Sequence, residues 1–135
     1  MEATNGRVTG HRGLLAWQQA FELAASCHEL ADALPWRTQR ALADQIRRAA
    51  ISVAANIAEG CGRRSSGDFL RMLRIAHGSL AELETHLLLV ERRAYATQSE
   101  VEPRLTQATK VGQLLGGLMR ALERRARKAK PASGA

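Results

Sequence analysis

The chain has 135 residues, of which 45% are hydrophobic and 4% aromatic, and it carries a formal net charge of +7. That is one domain of ordinary size with enough apolar content to bury a core, so a wholly disordered chain is excluded. A composition rich in Ala and Leu, with prolines only at 35, 103 and 131, favours helices and argues against a β fold.

Residues 1–13 are polar, contain glycine and show no apolar period, so they are expected to form a flexible N-terminal arm. Leu14, Trp17, Phe21, Ala24, Cys27, Leu30 and Leu34 then recur at steps of three and four, which is one face of a helix. Pro35 cannot continue the hydrogen-bond ladder and ends this segment. A second helix carries Leu42, Ile46, Ala49, Val53 and Ile57 at the same spacing, and Gly60 and Gly62 suit a left-handed cap at its end. Ser65 with Asp68 forms a capping-box pattern that opens a third helix. There Phe69, Leu73, Ala76, Leu80, Leu83, Leu87 and Val90 make a heptad seam. Thr97 with Glu100 repeats the capping pattern before a fourth helix whose face is Val101, Leu105, Ala108, Val111, Leu115, Leu118 and Leu122. Pro103 falls in its first turn or shortly after, where a missing N–H costs little.

Helices of about 20 residues are about 30 Å long, and short loops between them force antiparallel neighbours. The fold class expected is therefore all-α, an antiparallel up-and-down four-helix bundle over residues 14–125, followed by a basic flexible tail over 126–135.

The stretch Arg48–Gly60, RAAISVAANIAEG, is apolar nearly all round. Such a helix is buried on more than one side, so it is expected to pack against a second copy of the chain as well as its own bundle, giving a homo-oligomer. The other reading is an alanine-rich surface face, tolerated because alanine is small. A polar line crosses this helix: Gln45, Arg48, Ser52, Asn56 and Glu59. Buried groups of this kind need partners, and the third helix offers Arg71, Ser79, Glu82 and His86. A catalytic carboxylate with an Arg and a His is one reading of this line. Glu59 has neither a second carboxylate nor a nucleophile–base pair with it, so a polar network that fixes helix register or a subunit interface is preferred, and no enzyme is expected.

No metal site or cofactor is expected either. His77 and His86 are nine residues apart, with no HExxH or Glu-x-x-His pair beside them, and Cys27 and Cys61 have no ligand spacing. The two cysteines are expected to be reduced thiols. No apolar run reaches the roughly 20 residues that span a bilayer, and the first 13 residues lack a signal-peptide hydrophobic region, so the expected compartment is the cytoplasm, with no membrane partner.

The cation excess is concentrated. Arg120, Arg124, Arg125, Arg127, Lys128 and Lys130 stand against Glu123 alone over residues 119–135. Such a run attracts polyanions by counterion release, and equally suits a solvated helix end whose cations favour the negative pole of the helix dipole. The loop GCGRRSSG, residues 60–67, joins glycines, Arg63 and Arg64 to a helix N-terminus, a combination suited to a phosphate contact. It lacks the Gly-Lys-Thr/Ser ending of a P-loop, and a plain turn with solvated arginines explains it as well.

Three stretches together resemble a known family: Ala16-Trp17-Gln18, QIRRAAISVAANIAEGCGRRS at 45–65, and FLRMLRIAHGSLAELETHL at 69–87. They resemble the four-helix-bundle proteins encoded in 23S rRNA intervening sequences, a family similar to the accessory variability determinant proteins of diversity-generating retroelements. The resemblance implies a closed ring of bundles, with a homopentamer as the recurring assembly, and a basic surface suited to RNA or DNA. In the retroelement proteins it further implies contact with RNA and a reverse transcriptase, which makes Arg63, Arg64, Arg120, Arg124, Arg125, Arg127, Lys128 and Lys130 the candidate contacts here. The combined expectation is a non-catalytic homo-oligomeric scaffold that binds nucleic acid, with a purely structural or protein-binding assembly as the alternative.

Overall fold

The computed structural model describes residues 10–129, which form four α-helices and no strand. Helix α1 is Leu15–Ala33, α2 is Trp36–Cys61, α3 is Ser66–Arg92 and α4 is Gln98–Ala129, and a 3-10 helix at Gly10–Gly13 precedes them. Each helix packs on the next in sequence and α4 returns to α1, which places the four at the corners of a square. The partners run antiparallel. Ser52 on α2 meets Ser79 on α3 while Gly60 on α2 meets Met72, and Arg104 early in α4 reaches Ser26 and Glu29 late in α1.

The core is a continuous stack of aliphatic side chains. Leu23, Cys27, Ile46, Val53, Ile57, Leu73, Leu83, Leu87, Val90, Val101, Val111 and Leu115 all lie below 2% exposure. The expected faces of α2, α3 and α4 are the buried ones, with Leu42, Phe69, Leu105 and Leu118 packed at their margins. The expected face of α1 is buried at Ala24, Cys27, Leu30 and Leu34, with Leu14 and Trp17 packed at its margin, and it departs from expectation at Phe21. Ala16, Ala20 and Leu23 are buried as well, whereas Phe21 is 51% exposed and stacks on half-buried Trp17 at 5.1 Å between ring centroids. Small Ala16 and Ala20 let α1 sit close to its neighbours, Trp17 packs at the core margin, and the Phe21 ring lies on the outer flank of the helix. His11 adds an edge-on contact to Trp17 at 4.9 Å, and Gln18 Nε2 donates to the Arg12 carbonyl, so residues 10–13 are tied back onto α1. This part of the expected arm is ordered. Residues 1–9 and 130–135, including Lys130, lie outside the described residues.

The helix ends follow the capping chemistry in the sequence with one exception. Ser65 Oγ accepts from the Asp68 N–H at 3.1 Å. Thr97 and Glu100 form a reciprocal box: the Glu100 N–H donates to Thr97 Oγ1 at 3.2 Å and the Thr97 N–H to Glu100 Oε1 at 3.1 Å. The Thr97 N–H and the Thr97 hydroxyl, which donates to the same Oε1 at 2.8 Å, hold the Glu100 carboxyl below its ordinary pKa. Pro103 falls in the second turn of α4, within the helix, and α4 runs on to Ala129, four residues past the expected limit of the bundle at 125.

The exception is the end of α2. Gly62 caps it with φ −83°, not a left-handed conformation, and Gly60 lies inside the helix. Gly60 is needed for closeness: a Cβ there would lie 2.8 Å from Phe69 Cδ1 and 2.9 Å from Met72 Cβ. The left-handed residue is instead Ala94, φ 58°, after α3. Around it the Tyr95 N–H donates to the Val90 carbonyl at 3.0 Å and the Ala94 N–H to Glu91 at 3.1 Å, the bond pair of a Schellman end, with alanine where glycine is usual.

Two stability changes of opposite sign are expected in urea melts. Gly60→Ala forces α3 away from α2 and destabilises by about 1–3 kcal/mol. Ala94→Gly removes the Cβ from a left-handed position and stabilises by about 1 kcal/mol.

Candidate functional site

Because α3 runs antiparallel to both α2 and α4, the C-terminus of α2, the N-terminus of α3 and the C-terminus of α4 share one end of the bundle. The sequence places cations on all three: Arg63 and Arg64 in the connection, Arg71 and Arg74 in the first turns of α3, and Arg120, Arg124, Arg125, Arg127 and Lys128 along the last turns of α4. All nine side chains are exposed. Over the same segments, 59–74 and 119–128, the acids are Glu59, Asp68 and Glu123. Glu59 lies 3.4 Å from Arg63, and Glu123 lies 3.6 Å from Arg74, joining α4 to α3. Exposed pairs of this kind add little stability, and they leave most of these cations without an acid partner among the described residues.

The opposite end differs. Segments 29–44 and 91–104 carry Arg37, Arg40, Arg92, Arg93 and Arg104 against Glu29, Asp32, Asp44, Glu91, Glu100 and Glu102. Arg47 bridges Asp32 on α1 at 2.7 Å and Asp44 on α2 at 3.0 Å. Arg104 donates to the carbonyls of Ser26 at 2.9 Å and Glu100 at 2.6 Å. Arg47 and Arg104 thus hold helices together here, and acids match cations in number, so one pole is strongly cationic and the other close to neutral.

Topology thus brings together two groups that lie more than fifty residues apart in the sequence, the Arg63–Arg64 loop and the α4 cations. It also adds Arg71 and Arg74, which sequence reasoning did not place there. Their signal was available in the position of both residues just after the α2–α3 turn, on a helix antiparallel to α4. Arg71 was expected beside the polar line of α2, but it faces solvent at the cationic pole.

The polar line runs along the outer seam of α2 and α3. Ser52 Oγ lies 2.7 Å from Ser79 Oγ, and Asn56 Nδ2 donates to the Ser52 carbonyl at 2.8 Å and to Ser52 Oγ at 3.0 Å. Gln45, Arg48, Ser52 and Glu82 line a shallow depression of about 330 Å³. His86 Nε2 is shielded from solvent 3.5 Å from Glu82 Oε2, too far for a good hydrogen bond. Within one chain this line is not buried: Ser52 and Asn56 are half-buried, and Gln45, Arg48 and Glu59 are exposed. The seam lies on the outside of the bundle, and no further helix among the described residues covers it. Ile51 is 51% exposed on the same helix, with Ala55 exposed and Ala58 half-buried beside it in the helical period.

Among the described residues no group of three or more His, Cys, Asp or Glu side chains could hold a metal ion, and no helix is long and apolar enough to cross a membrane. Cys27 is fully buried, and burial pushes its thiol up to about 11, which keeps it in the unreactive protonated form at neutral pH. Cys61 is half-buried at the cationic pole, and neither cysteine is in a disulfide.

Fold and surface together define a small helical-bundle protein with a cationic pole. The chain belongs to the family of 23S rRNA-intervening sequence proteins, whose description matches residues 12–117. It is similar to a solved structure from Bacteroides thetaiotaomicron, a protein of unknown function from the S23 ribosomal protein family. The two share 28% identity at a TM-score of 0.73, over 78% of this chain and 98% of that one. No curated protein sequence matches the chain.

Proposed function

We propose that the protein is a non-catalytic, homo-oligomeric scaffold that binds RNA through its cationic pole. The observation that carries this reading is the convergence of nine exposed cations, from the α2–α3 loop, the start of α3 and the end of α4, on one end of the bundle against three acids. A cluster of this density releases counterions from a phosphate backbone and binds with strong salt dependence and little sequence preference. At the opposite pole cations and acids are nearly balanced in number, so the cation excess of the described residues is concentrated at one end.

Assembly is the second part of the proposal. Ile51 and Ala55 leave apolar surface on the outer side of α2, and the Ser52, Asn56 and Ser79 cluster beside them is only half-covered. A second copy packed on this helix removes the apolar surface from water and completes the partners of the polar line. The resemblance noted from the sequence makes the assembly a ring, with five as its recurring number, and adds DNA and a reverse transcriptase as partners to be tested. The cytoplasm is the compartment in which such a scaffold meets RNA. The alternative, an assembly protein whose partner is another protein, draws on the same outer side of α2 and leaves the cationic pole incidental.

Replacing Arg124, Arg125, Arg127 and Lys128 together by Ser is expected to abolish the gel shift of a structured RNA at low salt without changing the melting midpoint. Undiminished affinity would end the cationic-pole reading. Asn56→Leu is expected to change the mass measured by light scattering, because the substitution removes the amide from the half-covered cluster. An unchanged mass would remove the polar line from the subunit interface.

A further inference from the structure

The neutral pole carries the most exposed large hydrophobic residue in the described chain. Trp36 opens α2 with 69% of its surface in water. A tryptophan left so exposed loses much of the gain it would make on burial, and it neither packs into the core nor lies in the apolar flank of α1. One of its faces is occupied: the Arg40 guanidinium lies over the ring, 5.5 Å from the centroid. Arg37 is exposed on the same turn. Beside them the helix is broken at Gln39, φ −123° and ψ 24°, which opens a hollow of about 260 Å³ between the ends of α1 and α2. Trp36, Gln39, Arg40, Asp32 and Asp44 are among its walls.

The chemistry of this hollow selects among ligands. Two carboxylates, held by Arg47 at 2.7 and 3.0 Å, make it a poor seat for a phosphate. They are, however, acceptors for N–H groups, and Gln39 adds an amide. A flat aromatic face braced by a guanidinium suits a planar ring, since aromatic and guanidinium stacking holds any base by its π-face. Exposed Arg37, on the same turn as Trp36, suits a phosphate next to it.

We infer that Trp36 and Arg40 form a stacking platform for an unpaired nucleobase, so that the RNA taken by the cationic pole is also held, at the other end of the bundle, by a base outside a duplex. This inference rests on the RNA-binding reading and refines it: the cationic pole takes phosphates of any strand, whereas Trp36 discriminates unpaired from paired strands. Because α2 is about 39 Å long at 1.5 Å per residue, the strand must be long enough to reach both ends.

The test uses the full chain and two probes of equal length, an oligouridine strand and an RNA duplex, each longer than the bundle. Binding is read by gel shift and by quenching of tryptophan fluorescence. Trp36→Ala is expected to weaken oligouridine binding roughly 5- to 150-fold, the effect of losing one stacked base, while duplex affinity stays unchanged. Trp36→Tyr should restore most of the loss, and the melting midpoints of both variants should match the parent because the side chain is exposed. Equal affinity of the parent and Trp36→Ala for oligouridine would overturn the platform while leaving the cationic pole intact. So would an equal loss for duplex and single strand, or a change in mass on light scattering without a change in oligouridine binding, which would make Trp36 a subunit contact. If the parent binds neither probe, the RNA reading itself fails, an outcome distinct from all of these.

Discussion

The close approach of α2 to α3 sets much of what else the molecule can do. Gly60 lets the Phe69 ring and Met72 come to where a side chain would stand, and Ser52 and Ser79 meet at 2.7 Å further along. Small residues at both points hold two long helices in contact from the turn outward. The turn between them is thereby kept short, only Gly62 to Ser65, and Arg63 and Arg64 are fixed at the end of the bundle next to the start of α3. A bulkier α2 would splay the helices apart and carry the loop arginines away from the α4 cations.

Charge is divided between the ends in a way that composition cannot express. The excess of +7 is a property of the chain. Its location depends on which helix termini coincide. Where arginines bond to carbonyls and acids of a neighbouring helix, as Arg47 and Arg104 do, they act as fasteners between α1 and its two partners. At the other end the cations are exposed, and among the described residues two ion pairs engage them. Exposed cations at this density repel one another, a repulsion that the proposed RNA partner would relieve.

Helix α2 serves two surfaces. Its inner side, Ile46, Val53 and Ile57, is sealed in the core, while its outer side combines Ile51 and Ala55 with a half-covered row of hydroxyl and amide groups. Polar groups on an otherwise apolar face specify register, because a mismatched packing leaves them without partners. That is the physical content of the proposed assembly: apolar area supplies the attraction and the polar row selects the geometry.

Most of the architecture was legible in the sequence, since a period of three and four residues, two proline or glycine stops and two capping boxes are local signals that survive folding. The buried faces of α2, α3 and α4 and the Thr97–Glu100 box follow directly from them. The exposure of Phe21 on α1 does not, because Phe21 fits a helical period as well as Ala16 and Ala20 do, and only the space available beside α2 and α4 decides which of them goes inside. Gly60 was legible as a special position but not as a close approach, for its neighbour lies across a turn. The cations were visible as two separate runs; that they share an end with Arg71 and Arg74 follows from antiparallel packing. Thus the chain by itself determined where helices begin, end and carry charge, since those depend on near neighbours in sequence. Tertiary structure alone decided which side chains meet, because contact across a bundle depends on helix rotation and register, and these are set by the volumes of residues that lie far apart in the chain.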